Sequence, residues 1–206
     1  MLNTELHDGT KIKLEQTTNY PWDGKVVITI KEATGNPVNI FLRIPGWSKG
    51  YTLSINGSYP KVKDVDGGYV IAGRKWNAGD KIELNFEMPA TLIESNPMVE
   101  ETRNRITVKR GPVVYCLESA DLPDQNVFDV VIPSAIKFQP VSMKIAGGNV
   151  MALTGQAKLL QNTNWKNSLY KELNTNTKPV TIKLIPYFAW ANRGKTDMTV
   201  WLNVQR

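Results

Sequence analysis

The segment Lys81-Ile82-Glu83-Leu84-Asn85-Phe86-Glu87-Met88 alternates polar and apolar residues without a break. A two-residue period puts Ile82, Leu84, Phe86 and Met88 on one face and the polar residues on the other, the pattern of a half-buried antiparallel strand. Similar short apolar runs recur along the chain. Val26-Val27-Ile28-Thr29-Ile30 is β-branched throughout and reads as a core strand. Asn39-Ile40-Phe41-Leu42-Arg43-Ile44, Tyr51-Thr52-Leu53-Ser54-Ile55, Arg105-Ile106-Thr107-Val108-Lys109 and Val113-Val114-Tyr115-Cys116-Leu117 follow it. Turn residues separate the runs. Asn56-Gly57 is a type I′ hairpin signal, and Gly67-Gly68 and Gly147-Gly148 read as further hairpin turns. No segment before residue 90 reads as a long amphipathic helix. About twelve short strands punctuated in this way predict an all-β chain of two β-sandwich domains, jelly-roll or immunoglobulin-like.

A chain of 206 residues fits such a pair. The polar, Asp-rich stretch 119–128, with Pro123, is the best domain boundary in the sequence. Residues 156–178 hold Asn162, Asn164, Asn167, Asn174 and Asn176 and read as a long polar excursion. Within it, Trp165-Lys166-Asn167-Ser168-Leu169-Tyr170 fits a helical turn or a strand.

Several chemistries are excluded by composition. The net charge is +6, from 25 Lys plus Arg against 19 Asp plus Glu. These basic residues are mostly spaced singly, and the densest group, Arg103, Arg105, Lys109 and Arg110, sits beside Glu100 and Glu101. That is not the clustered stripe a nucleic-acid surface needs. Cys116 is the single cysteine and His7 the single histidine. No internal disulfide is available, and an all-protein Cys/His zinc site is impossible. Cys116 lies in an apolar run and reads as a small buried hydrophobe. A nucleophile–histidine arrangement would have to use His7, in a polar terminal stretch. No Gly-rich phosphate loop opens a helix, so no cofactor is expected. No apolar run approaches the roughly 20 residues of a membrane span. The first residues lack the pattern of a secretory signal. A soluble chain is expected, its compartment left open.

Glycosidases set two carboxylates about 5–9 Å apart across the scissile bond. Glu94, Glu100, Glu101, Glu118 and Asp121 qualify by type, yet no spacing singles out a pair, and a solvated rim is the expected fate of all five. The six tryptophans are Trp22, Trp47, Trp76, Trp165, Trp190 and Trp201. Trp201, in an alternating run, is expected in the core. Trp22, Trp47 and Trp76 adjoin turns. Tyr187, Phe188 and Trp190 form the best candidate contact surface, since such aromatics serve both sugar stacking and protein interfaces.

Six segments, in order, carry a resemblance. They are Thr18-Asn19-Tyr20-Pro21-Trp22-Asp23-Gly24; Leu42-Arg43-Ile44-Pro45-Gly46-Trp47; the run into Asn56-Gly57; Trp76 with Gly79-Asp80; Lys109-Arg110-Gly111-Pro112-Val113-Val114-Tyr115; and Pro186-Tyr187-Phe188-Ala189-Trp190-Ala191-Asn192-Arg193-Gly194. Together they resemble the β-L-arabinofuranosidases of glycoside hydrolase family 127. The resemblance covers most of the chain and is thin over 125–180. It implies a parent enzyme with a catalytic (α/α)6 barrel followed by β-sandwich domains, of which only the latter are matched here. The family's acid/base glutamate and its cysteine nucleophile in a zinc-binding cluster belong to the barrel. No position here matches them, and Cys116 lies in a different motif.

The resemblance also implies that the second sandwich, 121–185, is inserted in the first, 1–120, which 186–206 completes. The expected role is then a non-catalytic accessory region packing against the barrel. Trp22, Trp47, Tyr187, Trp190, Asn192 and Arg193 are the candidate contact residues, with no catalytic or metal-binding residue assigned. A carbohydrate-binding module for arabinose-containing glycans is the alternative, and a hydrolase built on unrecognised carboxylates a third reading.

Overall fold

The computed structural model describes residues 1–161, 167–173 and 175–206. Trp165, Asn162, Asn164 and Asn174 lie outside the described residues. Two compact units divide the chain, Met1–Met88 and Pro89–Arg206.

The first unit contains β1 (Leu2–Glu5), β2 (Lys11–Thr18), β3 (Lys25–Thr34), β4 (Val38–Arg43), β5 (Tyr51–Ile55), β6 (Lys63–Val65), β7 (Tyr69–Arg74) and β8 (Lys81–Phe86). They form a five-stranded sheet, ordered β1-β2-β3-β8-β5, and a three-stranded sheet, ordered β4-β7-β6. All their pairings are antiparallel. The alternation of β8 places Ile82, Leu84 and Phe86 in the core. They share one cluster with Ile30 and Leu53 of their own sheet and with Leu42, Val70 and Ala72 of the smaller one. Two sheets over one core are a sandwich. Trp76 is buried among them, and its indole N–H donates to the Val38 carbonyl at 2.9 Å.

The turn after β5 is a two-residue reversal. Asn56 and Gly57 both have positive φ, as a type I′ turn requires. Its Asn56 side chain also joins a second turn, donating to Asp80 at 2.8 Å and accepting from the Lys81 amide at 2.8 Å. Asn56→Ala removes both bonds and leaves at positive φ a residue without the polar side chain that favours it. A loss of about 1–2 kcal/mol is expected in urea unfolding, and no change would show the bonds to be matched by water.

The second unit contains β9 (Ala90–Ile93), β10 (Arg105–Arg110), β11 (Val113–Glu118), β12 (Val130–Pro133), β13 (Gln139–Ile145), β14 (Gly148–Leu160), β15 (Thr177–Pro186), β16 (Met198–Thr199) and β17 (Leu202–Gln205). Six of them close on themselves in the order β10-β11-β15-β14-β12-β17 and back to β10, a barrel. Among the strand pairings of the described residues, only β12–β17 is parallel. β9, β13 and β16 extend the sheet from β10, β14 and β11.

Four expectations change here. The second unit closes into a barrel rather than a second sandwich. Inward and outward residues alternate alike in both architectures, so local pattern does not separate them. The boundary falls after Met88, not at 119–128, which is a surface stretch between two barrel strands with short helical turns at Ser119–Asp121 and Val127–Asp129. The last strand does not return to the first unit: β17 pairs with β10 and β12, burying Leu202 beside Ile106. The polar segment 156–178 is also shorter than its composition suggests. Gln156 and Lys158 alternate with buried Ala157 and Leu159 in β14, which pairs with β15 through Leu160. No helix among the described residues is long and apolar enough to cross a membrane.

Candidate functional site

β11 explains where the second unit's polar cluster sits. Val113, Tyr115, Cys116, Leu117 and Glu118 are all buried, so the strand is covered on both faces. β15 ends with Pro186 paired to Tyr115, and β16 begins with Met198 paired to Glu118. The chain from 187 to 197 therefore leaves and rejoins β11 and must close over its end. The stem is tied by a Ser119 amide bond to the Asp197 carbonyl, 2.9 Å, and by a Ser119–Thr196 hydroxyl pair at 2.7 Å.

This closure brings Arg193 onto Glu118, whose side chain is 0% exposed. Arg193 Nε donates to Glu118 Oε2 at 3.0 Å, and Nη2 donates to the same carboxylate. Nη2 also reaches Asp121 Oδ2 at 2.6 Å. Asp121 is brought round by the turn at Ser119–Asp121 and pairs with Lys183 at 3.4 Å. The other Glu118 oxygen accepts the Ala191 amide at 3.0 Å, where the backbone has positive φ. Asp121 and Glu118 push the Arg193 pKa above its ordinary value, against the cost of its own burial. Both carboxylates are thus occupied by one guanidinium. They are not the solvated rim that their residue type suggested.

Cys116 lies beneath this cluster. Burial, reinforced by Glu118, pushes its thiol up to about 12. A neutral buried thiol is a poor nucleophile. Iodoacetamide at pH 8 is expected to leave Cys116 unmodified in the folded chain and to modify it fully in urea. Rapid native labelling would show the barrel to be open there. Among the described residues, no group of three or more His, Cys, Asp and Glu could hold a metal ion.

The loop's outer face is aromatic. Tyr187, Phe188 and Trp190 are 47%, 64% and 42% exposed. The rings of Tyr187 and Trp190 lie 6.4 Å apart and within 6° of parallel. Asn192 turns back on the same loop, donating to the Ala189 and Trp190 carbonyls at 3.2 Å. Tyr187, Trp190, Asn192 and Arg193 are therefore gathered in one loop, but in different roles. Two rings face solvent, while the amide holds the backbone beneath them and the guanidinium holds the carboxylates of Glu118 and Asp121. Trp22 and Trp47 belong to the first unit, and both are half-buried. Trp22 closes the turn at Asn19, its amide donating to the Asn19 carbonyl at 2.8 Å. Trp47 stacks on Tyr20 at 6.3 Å and meets Phe86 edge-on at 5.6 Å. Trp201 is half-buried in the bend between β16 and β17, not in a strand. Of the other candidate carboxylates, Glu94 pairs with Arg206 at 2.6 Å, and Glu100 and Glu101 sit on a short exposed helical turn.

Comparison with known proteins follows this two-part division. Residues 90–203 match the glycoside hydrolase family 127 C-terminal domain. Residues 2–88 match the β-L-arabinofuranosidase GH127 middle domain. The chain belongs to glycoside hydrolase family 127. It is 33% identical over 202 residues to a non-reducing end β-L-arabinofuranosidase of Bifidobacterium longum subsp. longum, covering 92% of this chain and 30% of that protein. A solved glycoside hydrolase is similar with TM-score 0.93 and 39% identity over 100% of this chain and 34% of its own. A GH127 β-L-arabinofuranosidase from Geobacillus stearothermophilus T6 is similar with TM-score 0.90 and 34% identity, over 99% and 32%. A further GH127 β-arabinofuranosidase gives TM-score 0.80 and 33% identity, over 98% and 33%. The chain thus spans about a third of the length of these relatives. It holds the family's middle and C-terminal regions and lacks the helical catalytic barrel. The helices among the described residues are short turns of three residues.

Proposed function

We propose that this chain is the non-catalytic accessory region of a β-L-arabinofuranosidase-type glycoside hydrolase, packing against a catalytic helical barrel that it does not itself contain. One observation carries the reading. The family's middle-domain and C-terminal-domain models account for residues 2–88 and 90–203, and they meet where the chain divides into its two compact units. The first unit, with two sheets over one core, acts as an immunoglobulin-like or jelly-roll module. The second presents Tyr187, Phe188 and Trp190 on a loop held by buried charges. Three exposed aromatics on a rigid loop are the composition of a protein interface, where rings supply large contact area at low entropic cost. The buried Glu118–Arg193 pair is consistent with a support for that surface.

A second reading is favoured by the near-parallel Tyr187 and Trp190 rings, which offer a flat face to the C–H side of a sugar. It makes the chain a carbohydrate-binding module for arabinose-containing glycans. Against it, Asn192 and Arg193 spend their hydrogen bonds inside the loop. Calorimetry of the purified chain against an arabinan and arabinoside panel, with the separately produced helical region of a GH127 relative titrated in parallel, separates the two. Heat with the helical region and none with sugars is expected. Heat with sugars alone, abolished by Trp190→Ala, would replace the accessory role with the sugar-binding one.

A further inference from the structure

The three-stranded sheet of the first unit is too narrow to cover the five-stranded one. Strands lie about 4.8 Å apart, so a width of about 10 Å of the larger sheet has no strand opposite it. Beside β4, the edge strand of the smaller sheet, this mismatch leaves an open cavity of about 270 Å³. Val26, Leu84 and Phe86 line it from the larger sheet, and Leu84 and Phe86 are themselves largely buried. Phe41 of β4 and Tyr20 line it too, yet are 56% and 39% exposed. Trp47, packed on both Tyr20 and Phe86, braces that wall. The nearest cation on the lining is Arg43, which also lies over the Tyr69 ring at 5.4 Å.

Small-molecule sites enclose about 300–1,000 Å³, so this space suits a single inserted side chain better than an extended ligand. Its two exposed rings are large apolar surfaces left in water beside a ready-made hollow, which is the profile of an anchor pocket at an interface. The relatives carry about two thirds of their length outside the region this chain matches, so further chain of the same polypeptide is available there to cover the hollow. The geometry points to a socket. It receives one apolar side chain from the helical catalytic region of the enzyme, with a carboxylate or carbonyl acceptor of that region set against Arg43. This inference rests on the accessory reading and adds the place and chemistry of contact on the first unit.

The test is a chimera in which this chain replaces the corresponding third of the Geobacillus stearothermophilus enzyme. Phe41→Asp and Gln16→Trp are compared with the unsubstituted sequence, both in the chain alone and in the chimera. Gln16 is an exposed lining residue, so its replacement plugs the socket without entering the core. In the chain alone, neither variant is expected to move the thermal midpoint appreciably. In the chimera, both are expected to lower it by about 4 °C or more and to reduce arabinofuranoside hydrolysis. Equal behaviour in both settings, while Trp190→Ala destabilises only the chimera, would overturn the socket and leave the accessory role standing. If no variant behaves differently in the chimera, both fall. Should the chimera fail to fold, Phe41→Cys carries the test. Its thiol is labelled with a polarity-sensitive fluorophore while buried Cys116 stays unmodified, and the helical region of the same relative is titrated in. A blue shift on complex formation supports the socket. A complex without a shift overturns it, and the absence of any complex overturns both readings.

Discussion

Replacing Arg193 by methionine lowers the stability of the second unit by about 3–5 kcal/mol at pH 7, the range found when one partner of a buried ion pair is removed. The expectation follows from what is left behind. Glu118 is fully buried and takes two of its hydrogen bonds from the guanidinium. Without Arg193, one amide bond from Ala191 remains to hold a buried carboxylate. Asp121 keeps Lys183, which is more exposed. Urea unfolding gives the number. The cycle with Glu118→Gln identifies the cause, since the neutral carboxamide still accepts from Ala191 but buries no charge. The double variant should recover a large part of the loss, and a strictly additive cycle would mean the two residues act independently. Arg193→Met should also raise proteolysis within residues 187–197, because the loop loses its guanidinium tie to β11.

Gly24→Ala is expected to cost about 3 kcal/mol or more in the first unit, through overpacking against backbone. A Cβ at position 24 would lie 2.1 Å from the Phe86 carbonyl oxygen and 2.9 Å from its carbon. The Phe86 amide also donates to the Gly24 carbonyl at 3.0 Å. The clash is with main chain, so no side-chain rotation relieves it. Phe86 would move, and with it the Trp47 contact and one wall of the socket. Gly46→Ala is the control, because nothing lies within 4 Å of a Cβ there. Equal midpoints for the two variants would show that β3 and β8 can separate at that end without penalty.

Much of the local structure was legible in the chain. The alternation over 81–88 placed Ile82, Leu84 and Phe86 in the core. Asn56-Gly57 specified its turn because few residues other than Asn and Gly tolerate positive φ at both positions. What was not legible depends on pairing across long separations. Barrel closure rests on β17 meeting β10 about a hundred residues earlier in sequence and β12 in parallel, and no short window encodes that. The true boundary lies at Met88-Pro89, directly after the most regular strand, with no long polar linker to announce it. The Asp-rich stretch 119–128 looked more like a linker, but its charges serve the barrel through Asp121. Glu118 shows the same limit from the side of the site. It ends an apolar run, which was the available signal, but its partner is 75 residues away. Residue type alone therefore assigned it to the surface. The aromatic loop was recognisable as a contact candidate because three rings fall within four residues, whereas Phe41 was hidden in an ordinary strand pattern. Its exposure follows from the outward face of β4, which it shares with exposed Asn39 and Arg43.

The measurement that bears most directly on the accessory role is hydroxyl-radical footprinting of Tyr187, Phe188 and Trp190, read by mass spectrometry. It compares the chain alone with the chain joined to a GH127 helical region. Strong labelling of all three rings is expected in the chain alone, as their exposure requires, with clear protection when the helical region is attached. Rings that remain equally reactive in the joined protein would contradict the account.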